Sequence, residues 1–167
     1  MPVNLSQTTN YQIDLSNQGT TVGLWTIGDN NAGQLGNGNT INYSSPIQVG
    51  SLSNWKVVEM GSYMSAIKTD GTLWRWGYNG FGQLGNGSTV YYSSPIQIGA
   101  LTNWSQVSNG INVSTAIKTD GTLWTCGFNT YGGLGNGNTI NYSSPIQIGL
   151  LTNWRQVTSG IFNCAAI

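Results

Sequence analysis

A period of 49 to 50 residues governs this chain. The segment GQLGNG stands at residues 33–38 and 82–87 and returns as GGLGNG at 132–137. SSPIQ begins at Ser44, Ser93 and Ser143, Leu-Trp ends at Trp25, Trp74 and Trp124, and Asn-Trp ends at Trp55, Trp104 and Trp154. Residues 66–99 and 116–149 share 25 of 34 positions. Self-similarity at such a period means one supersecondary unit repeated, each copy burying its apolar surface against the next.

Within a copy the pattern is that of short strands and tight turns. In AIKTDGTLW two extended runs flank Asp70-Gly71, and the same hairpin returns at Asp120-Gly121. Asp-Gly predicts a two-residue type I′ turn, which needs positive φ at both central residues. In LWRWG, alternation puts Trp74 and Trp76 on one face and Leu73 and Arg75 on the other. The glycine-rich run after it fits only tightly folded, irregular backbone. SSPIQIG reads as a strand that starts at its proline, and NWSQVSNG as one more. No stretch has the 3.6-residue period of an amphipathic helix. Four short strands per 50 residues is the signature of a propeller blade.

Composition narrows the function classes. Only 6% of residues are charged and the net charge is zero, against about 25% charged in an average domain. The five cations, Lys56, Lys68, Arg75, Lys118 and Arg155, are scattered, whereas phosphate neutralisation needs them clustered; nucleic acid is not an expected partner. No leader-like start and no apolar run near the length of a membrane helix is visible, so no membrane partner is expected, and the localisation is expected to be a virion or else the cytoplasm.

The string G-x-x-x-S-x-A-I-K-T-D-G-T-L-W-x-x-G-x-N-x-x-G-x-L-G-N-G, ending in S-P-I-Q, resembles the repeat of the regulator of chromosome condensation (RCC1) family, over about residues 23–167. The resemblance implies an all-β fold of RCC1-like β-propeller blades: three tandem repeats of about 50 residues (23–67, 68–117 and 118–167), an incomplete ring within one chain. Residues 1–22 stand apart as an extension, a candidate pairing or anchoring strand. The family often carries a His before its A-L strand; this chain has no His. Its best-known member is a nucleotide-exchange factor whose acidic and His residues have no counterparts here, so that activity is not expected. His-less, Gly/Asn-rich repeats of this kind also resemble those of bacteriophage structural and bacterial surface proteins.

The repeats begin and end in mid-blade: residues 22–28 are the second strand of the Asp-Gly hairpin and 164–167 the first. Two chains head to tail would complete each other's split blades as a six-bladed ring or, if the rotation does not close, an open array. Alternatively residues 11–19 pair within the chain and leave the last strand as a free edge. The expected partners are other copies of the chain, another structural protein, or both.

Catalytic chemistry is not visible. Without His there is no imidazole base, and Asp70 and Asp120 are accounted for by their turns. Asp14, Asp29 and Glu59 sit at unlike repeat positions. GQLGNG lacks the lysine of a phosphate-binding loop. Cys126 aligns with Ile27 and Trp76, and Cys164 with Ser65 and Thr115, which reads as ordinary packing. No catalytic residue, cofactor or metal is therefore expected. The tryptophans fixed in every copy read as packing between blades. Positions that differ between copies are the candidates for specific contact: Arg75, Trp76, Phe81, Tyr91 and Tyr131. The expected function is a non-enzymatic structural or assembly protein, such as a virion component. The alternative is a soluble module that binds a protein or a glycan through propeller loops.

Overall fold

The computed structural model describes residues 23–51 and 53–167. The reading of residues 1–22 as an extension or pairing strand lies outside them. Every regular element among the described residues is a strand, and no helix is long and apolar enough to cross a membrane. In chain order these are β1 (Trp25–Gly28), β2 (Tyr43–Gln48), β3 (Trp55–Met60), β4 (Tyr63–Lys68), β5 (Leu73–Gly77), β6 (Tyr92–Gln97), β7 (Trp104–Asn109), β8 (Val113–Lys118), β9 (Leu123–Gly127), β10 (Tyr142–Gln147), β11 (Val157–Ser159) and β12 (Cys164–Ala166).

They form two complete four-stranded antiparallel blades, β3-β4-β5-β6 and β7-β8-β9-β10, between two two-stranded sheets, β1-β2 and β11-β12. The blades are thus offset from the sequence repeats, which cut each blade between its second and third strands. The sheet is not closed into a ring. Among the described residues β1 pairs only with β2 and β12 only with β11.

Each blade has two unlike ends. At one, the loop end, lie the turn after the first strand and the long glycine-rich loop after the third, as the pairing of Tyr63 with Gly77 requires. The other, the hairpin end, carries the Asp-Gly turn. That turn differs from the expected one. Gly71 has φ +79°, but Asp70 is not in the positive region. Gly71 N–H donates to Lys68 C=O at 2.9 Å, and Lys68 N–H to Thr72 C=O at 3.0 Å. The loop is therefore three residues, with only its glycine left-handed. The Asp70 carboxylate accepts from the Thr72 amide at 2.9 Å and its hydroxyl at 2.6 Å. It is thereby spent inside the turn, and its pKa is lowered first by the Thr72 hydroxyl.

The outer strand also differs from expectation. It starts three residues before its proline, at Tyr43, Tyr92 and Tyr142. Proline is tolerated because the strand is an edge and the pairing register shifts beside it. Register also corrects the alignment of Cys164. It stands opposite Ser159 as Ser114 stands opposite Asn109, so its counterparts are Met64 and Ser114, not Ser65 and Thr115.

The core lies between blades, as the repeated tryptophans suggest. Trp55, Met64, Ala66 and Trp76 pack with Trp74 against Val49 and Leu24 of the preceding half-blade. Val57, Ile67, Leu73 and Ile98, from the opposite face, pack on Trp104, Val107 and Ala116 of the next. Trp74 and Leu73 thus face opposite seams, as alternation predicts. A register shift between Trp55 and Val57 turns that Trp to the face opposite Val57, and the same shift recurs after Trp104. At the hairpin end Lys68 Nζ lies 4.3 Å from the Trp74 ring centroid, and Lys118 Nζ 3.7 Å from that of Trp124.

A backbone latch joins the loops across the seams. Gly38 N–H donates to Ser93 C=O, and Gly87 N–H to Ser143 C=O, both at 2.7 Å. GQLGNG and SSPIQ are therefore two halves of one interlock. Gly82 sits in it at φ +79°, where a Cβ would lie 2.5 Å from the Ser143 Cα. Gly82→Ala should destabilise the chain by about 2–4 kcal/mol, from the left-handed backbone and the overpacked contact, measured by urea unfolding.

Glu59 gives a pH prediction. It is buried on β3, and loss of water raises its pKa to about 7. The fold favours its neutral form, so its contribution is intact below the ordinary carboxylate value and is lost as pH rises to about 7. With no His in the chain, stability should fall by about 1–2 kcal/mol between roughly pH 4.5 and 7.5. Glu59→Gln should flatten that slope, and an unchanged slope would assign the pH dependence to another group.

Candidate functional site

The loop end is organised by one buried asparagine per repeat. Asn79 is fully buried after β5. Its Oδ1 accepts from the Leu84 amide at 2.9 Å, and its Nδ2 donates to the Ser88 and Val90 carbonyls at 3.0 and 2.9 Å. Asn30 and Asn129 do the same for the Leu35 and Leu134 amides at 2.8 and 3.0 Å. A single side chain thus ties down both arms of a loop that has no regular structure of its own. In the first and third copies a second tie exists: Asn42 Oδ1 accepts from Asn30 N–H, and Asn141 Oδ1 from Asn129 N–H, both at 2.7 Å. In the middle copy Tyr91 replaces that asparagine. Its ring packs edge-on against Tyr78 at 4.8 Å instead.

Tyr91 and Tyr78 begin a continuous strip of six rings. Tyr78 contacts Phe81 at 6.4 Å, Phe81 contacts Phe128 at 4.9 Å, and Phe128 contacts Tyr131 at 5.6 Å and Phe162 at 5.2 Å. All six come from loop-end segments, and the strip runs from one complete blade across the next to the β11-β12 turn. Tyr131 is 73% exposed, Tyr91 48% and Phe162 40%; the other three are half-buried. Beyond Tyr78 the strip ends at a cleft of about 530 Å³ whose lining includes Asp29, Ala32, Met60, Ser62 and Met64. The exposed Asp29 carboxylate is held there by Asn31 Nδ2 and by Gln34 Nε2 at 2.6 Å.

Three of the five sequence-selected positions, Phe81, Tyr91 and Tyr131, therefore meet on this strip. The other two do not reach the surface. Trp76 is fully buried and donates from Nε1 to the Gln34 carbonyl of the preceding repeat at 3.0 Å. Arg75 is 1% exposed. Its Nη1 reaches the Leu84 carbonyl at 3.3 Å, the Gln83 carbonyl at 3.4 Å and Cys126 Sγ at 3.3 Å, while Nε donates to Ser65 Oγ at 3.1 Å. Its counterparts Thr26 and Thr125 donate to the Leu35 and Leu134 carbonyls at 2.8 and 3.1 Å. Arg75 is thus a longer version of one structural contact. Tyr78, Phe128 and Phe162 escape a reading of the sequence. Tyr78 and Phe128 share a repeat position and so look like packing residues.

The two ends of the blades differ in charge. Lys68 and Lys118 close β4 and β8 at the hairpin end, Lys56 is the second residue of β3, and Arg155 lies just before β11 at the same end. Asp70 and Asp120 share that end. Among the described residues the loop end has no Lys or Arg side chain on its surface and one exposed carboxylate, Asp29. No group of three His, Cys, Asp or Glu side chains able to hold a metal occurs among them.

Four-stranded antiparallel blades with tryptophan-filled seams define the class: these are β-propeller blades. The profile of the "Regulator of chromosome condensation (RCC1) repeat" matches residues 23–67, 70–117 and 120–167, and the chain belongs to that repeat family. Its fold is similar to human WBSCR16 (TM-score 0.76, 23% identity, 87% of this chain and 40% of that one). It is likewise similar to Prp20p of Saccharomyces cerevisiae (TM-score 0.75, 20% identity, 87% and 39%), from a study of its binding to Gsp1p and histones. A third match is yeast RCC1 (Prp20) bound to Kap60 (TM-score 0.72, 20% identity, 87% and 37%). The chain thus spans about two fifths of the length of each. No curated protein matches it in sequence.

The two groups of candidate residues should separate on mutation. Tyr131→Ser should leave unfolding within about 0.5 kcal/mol of wild type. Arg75→Ala should cost about 2–4 kcal/mol by orphaning the Leu84 carbonyl and opening a cavity. Arg75→Thr, the residue of the other copies, should recover part of that loss in the same urea titration.

Proposed function

We propose that this chain is a protein-binding module that docks its partner on the loop end through the aromatic strip. The single observation that carries this reading is the contiguous run from Tyr91 to Phe162, with three of its rings exposed. Tyr and Phe are enriched at the centres of protein interfaces, where a few buried aromatics carry most of the affinity. Their loops are held by buried asparagines, so little conformational freedom remains to be lost on binding. That Prp20p, with the same fold, was studied for binding Gsp1p and histones, and that yeast RCC1 is seen bound to Kap60, supports docking of a protein over docking of a glycan. Neither the fold nor these relatives point to a virion component or to head-to-tail self-association.

The test is quantitative capture from an extract of the source cells on immobilised wild type and on a Phe81→Ser/Tyr131→Ser variant. A defined protein should be enriched on wild type and fall by about tenfold or more on the variant, with far-ultraviolet circular dichroism unchanged. Equal capture by both would remove the strip as the docking surface.

A further inference from the structure

Resting on the docking reading above, we propose that the partner presents an extended cationic segment. One Arg or Lys enters the cleft between Asp29 and Tyr78, and further cations lie over the ring faces of the strip. Three observations converge on this chemistry.

The first is the placement of charge. Four of the chain's five cations lie at the hairpin end, and the fifth, Arg75, is buried. The loop-end surface therefore opposes a cation with nothing. An acidic segment would find no counter-charge there and would meet Asp29.

The second is the rings themselves. The π faces of Tyr and Phe carry negative potential that attracts Lys and Arg. The chain uses this attraction at its hairpin end, where Lys68 lies over Trp74 and Lys118 over Trp124. None of its own described cations lies over a ring of the strip. The exposed rings Tyr91, Tyr131 and Phe162 offer the same kind of acceptor with none of these cations over them.

The third is the cleft. At about 530 Å³ it holds a long side chain, its Met60 and Met64 walls suit an aliphatic stem, and Asp29 stands at it with Tyr78. The amides of Asn31 and Gln34 fix the carboxylate, and each of its oxygens keeps a lone pair for an incoming donor. The rings from Tyr91 to Phe162 follow one another at 4.8, 6.4, 4.9 and 5.2 Å. About six extended residues at roughly 3.3 Å each cover such a path.

Fluorescence anisotropy on the full chain tests this, with labelled peptides of about ten residues, long enough to overrun the strip. One alternates Gly with Arg, a second Gly with Lys, a third Gly with Glu; unlabelled maltohexaose is the competitor. The Arg and Lys peptides should bind and weaken between about 0.05 and 0.3 M salt, and the Glu peptide should not bind. Asp29→Asn should weaken the Arg peptide by about threefold and Phe81→Ser/Tyr131→Ser by about tenfold. Lys56→Ala, at the hairpin end, should change nothing, and circular dichroism of each variant confirms folding. Equal binding of Arg and Glu peptides, no binding of either, or indifference to Asp29→Asn and to the double variant would overturn the proposal. If the Arg peptide fails while the double variant still loses its captured protein, the docking surface stands and the partner's charge is wrong. If calorimetry shows maltohexaose binding that is lost on the double variant while the Arg peptide does not bind, both readings fall.

Discussion

The loop end depends on a buried asparagine amide. Glycine-rich backbone has the largest conformational freedom to lose on folding and no side chains to pack. Left alone, residues 80–90 would have little to hold them. Asn79 supplies an acceptor to one arm and two donors to the other from a fully buried position. Once that loop is closed, Gly87 can meet Ser143, and the seam to the next blade locks. The rings of the strip are then presented from fixed anchors. Loop shape, blade-to-blade registry and the footing of the aromatic strip all trace to the same amide.

Much of the fold is legible in the sequence because repetition multiplies a weak signal. One Leu-Trp pair says little, but three at one spacing describe a blade. Alternation places Trp74, Trp76 and Leu73 on the faces where they are found. The features that escape are a few residues long. The three-residue turn is one, since Asp-Gly suits both a primed turn and a left-handed glycine after an ordinary turn. The register shift after Trp55 is another, because alternation presumes an unbroken ladder. Asn79 does not stand out, since asparagine among glycines looks like a turn former. The strip is half legible: Phe81, Tyr91 and Tyr131 are marked by varying between copies. That they form one surface with Tyr78, Phe128 and Phe162 depends on blades lying side by side, which no local pattern encodes.

Arg75 shows why variability between copies is an imperfect guide to contact. A charged residue is ordinarily exposed, and an Arg in place of two threonines looks like a surface change. The loop carbonyls it meets are already turned inward, and a guanidinium reaches, at a longer distance, the leucine carbonyl that a hydroxyl meets in the other copies. Glu59, Ser65 and Arg75 stand opposite one another across β3, β4 and β5. That row makes the seam ahead of this blade more polar than its apolar core alone would suggest. Buried groups of this kind are costly to orphan and add little when satisfied. They are better understood as fixing how two blades seat than as holding them together.

The register shift inside the first strand of each complete blade has a consequence for how such chains grow. Because it sends the tryptophan to the rear seam and leaves the residue two positions on, Val57 or Gln106, facing forward, the front and rear of both complete blades are different surfaces. A blade can therefore be copied and inserted without inventing a new interface: its rear already fits the front of the blade before it, and its front fits the rear of the blade after it. Length becomes a quantity that gene duplication can change at little structural risk. The loop-end positions of each new copy are then free to diverge while the seams keep their repeated tryptophans.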